Sequence, residues 1–263
     1  MAGGLTREDR QTSLPIDVLL AGEVQALLFP KSSPVCDWCC VGVENHMAAV
    51  LGGDFYDFIP LDDGCQALLV GDVTGHGLHA SIVMSLVYGY LHRSVQGSCD
   101  PLAIVNELNC FLRSFAKRSS VYDHFFSTTL FFGVIDPDSL SMRYVSAGHP
   151  TGLVRRGDAV LKLATTGHPL GYFDKPDLEE QTFYFKVDDR LLLYTDGLVD
   201  GLDPKGNVFG SPRLANTLAR LQGDHLECLE GVFDALRSHL AGQPTVDDCT
   251  AIVLDMHPFR GGG

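Results

Sequence analysis

Apolar positions change period several times along the chain, and each change marks an element. From Ile16 to Phe29, Val18, Leu19, Val24, Leu27 and Leu28 fall on one helical face, and Pro30 closes the segment. Cys36 to His46 alternates as a strand does. A predicted hairpin follows between Leu51 and Gly77: Leu51-Gly52-Gly53-Asp54-Phe55-Tyr56-Asp57, a turn at Asp62-Asp63-Gly64, an apolar run from Ala67 to Val70, then Gly71-Asp72-Val73-Thr74-Gly75-His76-Gly77. The period then returns to three and four through Ile82, Val83, Leu86, Val87, Tyr90 and Leu91, which predicts a helix over Leu78 to Val95 ended by Gly97. Asp100-Pro101 is a helix cap followed by proline at the first helical position. The helix it opens carries Leu102, Val105, Leu108, Leu112 and Phe115 on one face. These two helices are expected to form an antiparallel pair lying on a sheet.

The second half begins with strands. Phe125 to Ile135 and Met142 to Ser146 flank a turn at Asp136-Pro137-Asp138-Ser139. Gly152 to Arg155 and Val160 to Leu163 flank a second turn. Thr182 to Val187 and Arg190 to Tyr194 flank Asp188-Asp189, read as a third hairpin. Helices resume over Ser211 to Leu221 and Leu226 to Leu240, and a last strand spans Thr250 to Asp255. The expectation is an α+β domain over residues 15–257. It would be a sandwich of antiparallel sheets flanked by helix pairs, with an N-terminal helix over 16–29 and flexible tails at 1–14 and 258–263.

Composition narrows the function classes. The net charge of −14 and pI near 4.9 argue against nucleic acid, whose phosphates need clustered Lys and Arg. The polar N-terminus lacks a hydrophobic signal region and no run reaches membrane-spanning length, so the reading is a cytoplasmic protein with no membrane partner. Of the eight cysteines, Cys36, Cys39 and Cys40 have the spacing of half a zinc site, but no second pair follows at the usual distance. All eight are read as reduced thiols, mostly buried.

Four acidic positions stand out. Asp54 follows two glycines, so that it and Asp72 sit at the two ends of the predicted hairpin. Asp72 ends an apolar strand, Asp196 ends Leu191-Leu192-Leu193-Tyr194-Thr195, and Asp247 precedes the final strand. Any one of them alone reads as a turn former or cap. Gathered by the strands of one sandwich, they offer the several oxygens a hard divalent cation requires.

The ordered set Gly52-Gly53-Asp54-Phe55-Tyr56-Asp57, Gly71-Asp72-Val73-Thr74-Gly75-His76-Gly77, Phe126-Ser127-Thr128-Thr129, Ala147-Gly148-His149-Pro150, Pro169-Leu170-Gly171, Leu192-Leu193-Tyr194-Thr195-Asp196-Gly197, Phe209-Gly210 and Asp247-Asp248-Cys249-Thr250 resembles the bacterial serine phosphatases of the PP2C superfamily, in the branch of the SpoIIE and RsbU proteins. The resemblance runs from about Val24 to Asp255. Asp200-Gly201 and Cys249 depart from the family pattern, at positions that bear on partner choice or regulation.

The resemblance implies a PP2C-like β-sandwich with a centre of two Mn²⁺ or Mg²⁺ ions. Asp72 would bridge them, the Val73 carbonyl would complete one site, and Asp54, Asp196 and Asp247 would hold the other. Asp72, Asp54 and Asp196 would then carry catalysis, because a water between two cations is acidic enough to attack a phosphoryl group. The implied activity is hydrolysis of phosphoserine or phosphothreonine on a small regulatory protein, an anti-sigma-factor antagonist of the STAS type. A homodimer or a sensor partner would be engaged through the N-terminal helix. The alternatives are a silent pseudo-phosphatase that only binds its partner and, ranked below it, a hydrolase of small phosphoesters. His76 reads either as a proton donor or as a packed or capping histidine. Asp57 reads either as a hydrogen-bond partner of a metal-bound water or as a brace for its strand. Asp248 reads as a support for its neighbour, and His149 and His168 as structural.

Overall fold

The computed structural model describes residues 15–31, 36–62, 64–97 and 99–258. The tails expected at 1–14 and 258–263 lie outside those residues, except for residue 258. Ten strands form two five-stranded antiparallel sheets. One sheet orders β2 (Asp54–Pro60), β3 (Gln66–Val73), β4 (Thr128–Asp136), β5 (Ser141–Ala147) and β8 (Gln181–Tyr184). The other orders β1 (Cys39–His46), β10 (Cys249–Met256), β9 (Arg190–Tyr194), β6 (Gly152–Arg156) and β7 (Ala159–Leu163).

Strand alternation divides the core into three layers. Between the sheets lie Phe58, Leu68, Val70, Phe131, Tyr144, Leu191, Leu193, Ile252 and Leu254. On the outer face of the first sheet, Phe55, Leu69, Leu130 and Phe132 pack under α2 (Leu78–Ser94) and α3 (Pro101–Ala116). Outside the second sheet, Leu192, Tyr194, Ala251 and Val253 pack under α5 (Ser211–Arg220) and α6 (His225–Leu240). The expected sandwich flanked by helix pairs is therefore the observed architecture. The α3 cap forms as expected: the Asp100 carboxylate accepts from Ala103 N at 3.1 Å. No helix of the described residues is long and apolar enough to cross a membrane.

Two expectations need correction. The strands around Asp188-Asp189 do not form a hairpin, because β8 pairs with β5 in one sheet and β9 pairs with β10 and β6 in the other. The chain crosses between sheets there. Asp188 takes a φ of +70°, and buried Asp189 accepts from Lys186 N at 2.8 Å and from the Arg156 guanidinium at 2.6–3.2 Å. The N-terminal helix, α1, covers Ile16–Ala26 and stops short of Phe29. Leu27 and Leu28 donate to the carbonyls of Val24 and Gln25, three residues back, and this tighter turn ends the helix ahead of Pro30. Its apolar stripe is only partly turned inward: Leu19, Val24 and Leu27 are exposed, Val18 is half-buried, Leu28 packs against the core, and the buried position is Gln25.

Candidate metal and active site

The site is built at one end of the sandwich. Asp54 opens β2 and stands directly opposite Asp72, near the end of β3. Residues directly opposite in an antiparallel pair share a face, and their even-numbered neighbours Phe58, Leu68 and Val70 point between the sheets. Both carboxylates therefore lie in the inter-sheet layer. From there Asp54 reaches the other sheet: its Oδ2 accepts from Thr195 Oγ1 at 2.7 Å and from Thr250 Oγ1 at 2.6 Å. Those threonines are joined in turn, with Thr250 N donating to Thr195 Oγ1 at 2.9 Å. Asp196 and Asp247 stand one residue beyond Thr195 and three before Thr250, so the same strand ends that grip Asp54 also carry the other two carboxylates.

Close backbone approaches explain the glycines. A Cβ on Gly53 would lie 2.7 Å from the Val73 carbonyl oxygen, 3.0 Å from Asp72 Oδ1 and 3.3 Å from the Gly75 carbonyl oxygen. Three oxygens thus crowd one spot that only a glycine leaves open. A Cβ on Gly197 would meet the Asp248 carbonyl oxygen at 2.0 Å, so the residue after Asp196 has to be small.

Two supports brace the peptides ahead of Asp54: Asp248, whose expected role was support of its neighbour, and Gln25, which the sequence did not single out. Asp248, 3% exposed, accepts from Ala48 N at 2.8 Å and Gly53 N at 2.9 Å, which fixes the peptide leading into Asp54. Gln25 of α1 donates from Nε2 to the Gly52 carbonyl at 2.8 Å and accepts from Gly52 N at 3.2 Å. The one signal for Gln25 was a polar residue within an apolar helix, and for Thr195 and Thr250 a threonine beside each strand-end aspartate.

The electrostatics are those of a crowded acid cluster. Burial first, then the charges of Asp54, Asp196, Asp247 and Asp248, push the Asp72 carboxyl up to about 9. Burial raises Asp54 to about 8, against the two threonine hydroxyls that favour its charged form. Asp196 and Asp247 are also raised, by burial and then chiefly by neighbouring carboxylates. Among the described residues no Lys or Arg pairs with any of the four, and no three acidic, His or Cys side chains converge tightly enough to cage an ion by themselves. A donor set of carboxylates and one carbonyl, all oxygen, fits Mg²⁺ or Mn²⁺, which retain several waters.

The remaining candidates separate. Asp57 lies on the opposite face of β2, where its Oδ2 accepts from the Tyr88 hydroxyl and pairs with His92 Nε2 at 2.5 Å; it ties β2 to α2 and is not in the acid layer. His76 is exposed on the loop before α2, near enough to Asp247 for its charge to be felt there. His149 is buried, with Nδ1 3.0 Å from Thr129 Oγ1, and burial lowers its imidazole to about 3, so it is neutral at ordinary pH. His168 is held in its loop, with N and Nδ1 both at the Pro176 carbonyl.

Residues 62–257 match the family model of Stage II sporulation protein E (SpoIIE). The chain is 27% identical over 254 residues to Protein IcfG of Synechocystis, covering 88% of this chain and 40% of that protein. It is 28% identical over 156 residues to phosphoserine phosphatase RsbP of Bacillus subtilis, covering 59% and 38%. It thus spans about two fifths of the length of these relatives. Its fold is similar to that of the SiaA-PP2C domain of Pseudomonas aeruginosa, with a TM-score of 0.80 at 21% identity over 91% of this chain and 96% of that one. With a PP2C-type sandwich under the match and the family model spanning most of it, the chain belongs to the SpoIIE family.

Proposed function

We propose that residues 15–257 form a metal-dependent protein-serine/threonine phosphatase, acting in the cytoplasm on a phosphorylated regulatory protein of the STAS type. The observation that carries this reading is the layer of four aspartates at one sandwich end, raised by burial and mutual repulsion, without a basic partner among the described residues. Such a layer is compensated by cations from outside the chain. Asp72 and the Val73 carbonyl would hold one ion, and Asp72 with Asp54, Asp196 and Asp247 a second. Bound Mn²⁺ or Mg²⁺ supplies an acidified water and neutralises phosphoryl charge.

The chain's own part is placement. Thr195 and Thr250 fix the Asp54 carboxylate across the sandwich, Asp248 and Gln25 fix the two peptides before it, and no serine or cysteine is assigned a covalent role. The α2 N-cap, Gly77, contributes no side-chain cap, which leaves the first amides of that helix open to meet a phosphate. The exposed Ile16, Leu20 and Val24 of α1, with Val24 beside the exposed Leu78 and Ile82 of α2, support α1 as the contact for a sensor partner or a second copy.

Mn²⁺-dependent hydrolysis of p-nitrophenyl phosphate by wild type and Asp72→Asn tests the reading. The expected result is turnover by wild type and a loss of at least about a thousandfold in the variant, roughly 4 kcal/mol of transition-state stabilisation. Equal rates would overturn the assignment of Asp72. Absence of turnover in both would favour a pseudo-phosphatase that only binds its partner.

A further inference from the structure

One motif takes no part in the acid layer: Cys36-Asp37-Trp38-Cys39, where the chain enters the edge strand β1. Cys39 is the first residue of β1, opposite Met256, and is 2% exposed. Cys36 is half-buried and packs against the same inter-sheet core as Cys39, Val41 and Met256. The chain bends at Asp37 and Trp38, the Trp38 carbonyl is held by His257 N at 2.8 Å, and the bend sets Cys36 and Cys39 against the same core, near enough for each thiol to act on the other. Cys40 stands on the other face of the strand, the face on which a Cβ at Gly42 would meet Leu229 and Leu226 of α6.

We propose that Cys36 and Cys39 are a redox-active dithiol that a small disulfide such as oxidised glutathione closes to an intramolecular disulfide. The hydrogen bond from Cys39 lowers the Cys36 thiol, while that bond and burial raise Cys39, so the more accessible sulfur is also the one that ionises first. Cys36 loses its proton and its thiolate attacks one sulfur of the oxidised glutathione. The glutathione S–S bond breaks, a mixed disulfide forms on Cys36, and one glutathione thiolate leaves and takes up a proton. Cys39 then loses its proton and attacks the Cys36 sulfur. The mixed disulfide breaks and the second glutathione leaves and is protonated. Two cysteine thiols are oxidised by two electrons, and one glutathione disulfide is reduced to two thiols. The second attack is intramolecular, between residues three apart that pack against the same core, so Cys39 is reached from Cys36 and not from solvent. The closed bridge pins the incoming chain to the start of the edge strand.

The test uses the full chain, reduced and then equilibrated in glutathione buffers of rising disulfide content, quenched with acid and alkylated with N-ethylmaleimide. Cleavage on the N-terminal side of Asp37 separates Cys36 from Cys39, so only a disulfide holds the two peptides together. The expected result is a linked pair of peptides that escapes alkylation and is released by dithiothreitol. The link persists in Cys40→Ser, and Cys39→Ser stops at a glutathione adduct on Cys36. Alkylation of both Cys36 and Cys39 in the most oxidising buffer would overturn the proposal, as would loss of the link in Cys40→Ser.

Discussion

At one end of the sandwich the carboxylates of buried Asp189 and half-buried Asp255 are each met by an arginine. Arg156 reaches Asp189 at 2.6 Å, and Arg190 reaches Asp255 at 2.5 Å and 2.6 Å. At the other end Asp54, Asp72, Asp196 and Asp247 face one another, and among the described residues none is met by Lys or Arg. The same strands build both ends: β9 begins at Arg190 and leads into Thr195, and β10 carries both Thr250 and Asp255. A carboxylate matched by a guanidinium needs nothing further and serves the fold. A carboxylate layer left unmatched keeps the protein's own positive charge away, which is the condition for binding a cation from solution.

Substitutions at the two ends should therefore fail in different ways. The largest effect expected is the loss of phosphatase turnover in Asp72→Asn, with the fold retained. Arg190→Met inverts this: it strands Asp255 without its partner and should cost about 3–5 kcal/mol of stability. Chemical denaturation should show that loss, while Mn²⁺-dependent activity per folded molecule stays near wild type. Gln25→Ala is intermediate in kind, because it removes two hydrogen bonds from the buried Gly52 peptide beside Asp54. It should cost about 1–3 kcal/mol and also lower activity, which distinguishes a brace of the acid end from one that serves the fold alone.

The smallest effect expected is a pH dependence with a defined sign. Asp54 and Asp72 are raised to about 8 and about 9, so the folded state binds more protons than the unfolded chain from the ordinary carboxylate range up to those values. Their protonation supports the fold at low pH, and that support is lost as pH rises through about 8 to 9. His149 acts in the opposite direction, since its lowered folded value makes the protein lose stability as pH falls from about 6.5 towards about 3. Above about pH 7 His149 is neutral in both states. The raised thiols of Cys39, Cys228 and Cys249 then act in the same direction as the aspartates and the lowered thiol of Cys36 against it, so the carboxyl share is the part that Asp72→Asn removes. In the metal-free protein the melting temperature should fall between about pH 7 and pH 9, and fall less in Asp72→Asn. An increase in melting temperature over that window would contradict the raised carboxyls.

Much of this was legible because local pattern and tertiary role coincide. Asp54 and Asp72 announce themselves through the glycines around them and the strands that carry them, and the Asp100-Pro101 cap is a purely local device. What the sequence concealed depended on partners far along the chain. Asp54 and Asp57 look alike in Gly-Asp-Phe-Tyr-Asp, but strand alternation sends one into the acid layer and the other against Tyr88 and His92. The turn chemistry of Asp188-Asp189 suggested a hairpin, whereas pairing with β5 on one side and β10 on the other decides the crossover. Gln25 is buried in a helix where Leu19 and Val24 of the apolar stripe are exposed, so periodicity alone did not pick out the residue that reaches the acid end.

The central claim is that the unmatched acid end is a cation site. Its most direct test is calorimetric titration of Mn²⁺ into the metal-stripped chain, paired with its melting temperature. The account predicts saturable binding of two ions per chain and a rise in melting temperature, both reduced in Asp72→Asn and retained in Asp57→Asn. Absence of binding heat, with a melting temperature that Mn²⁺ and EDTA leave unchanged, would contradict it.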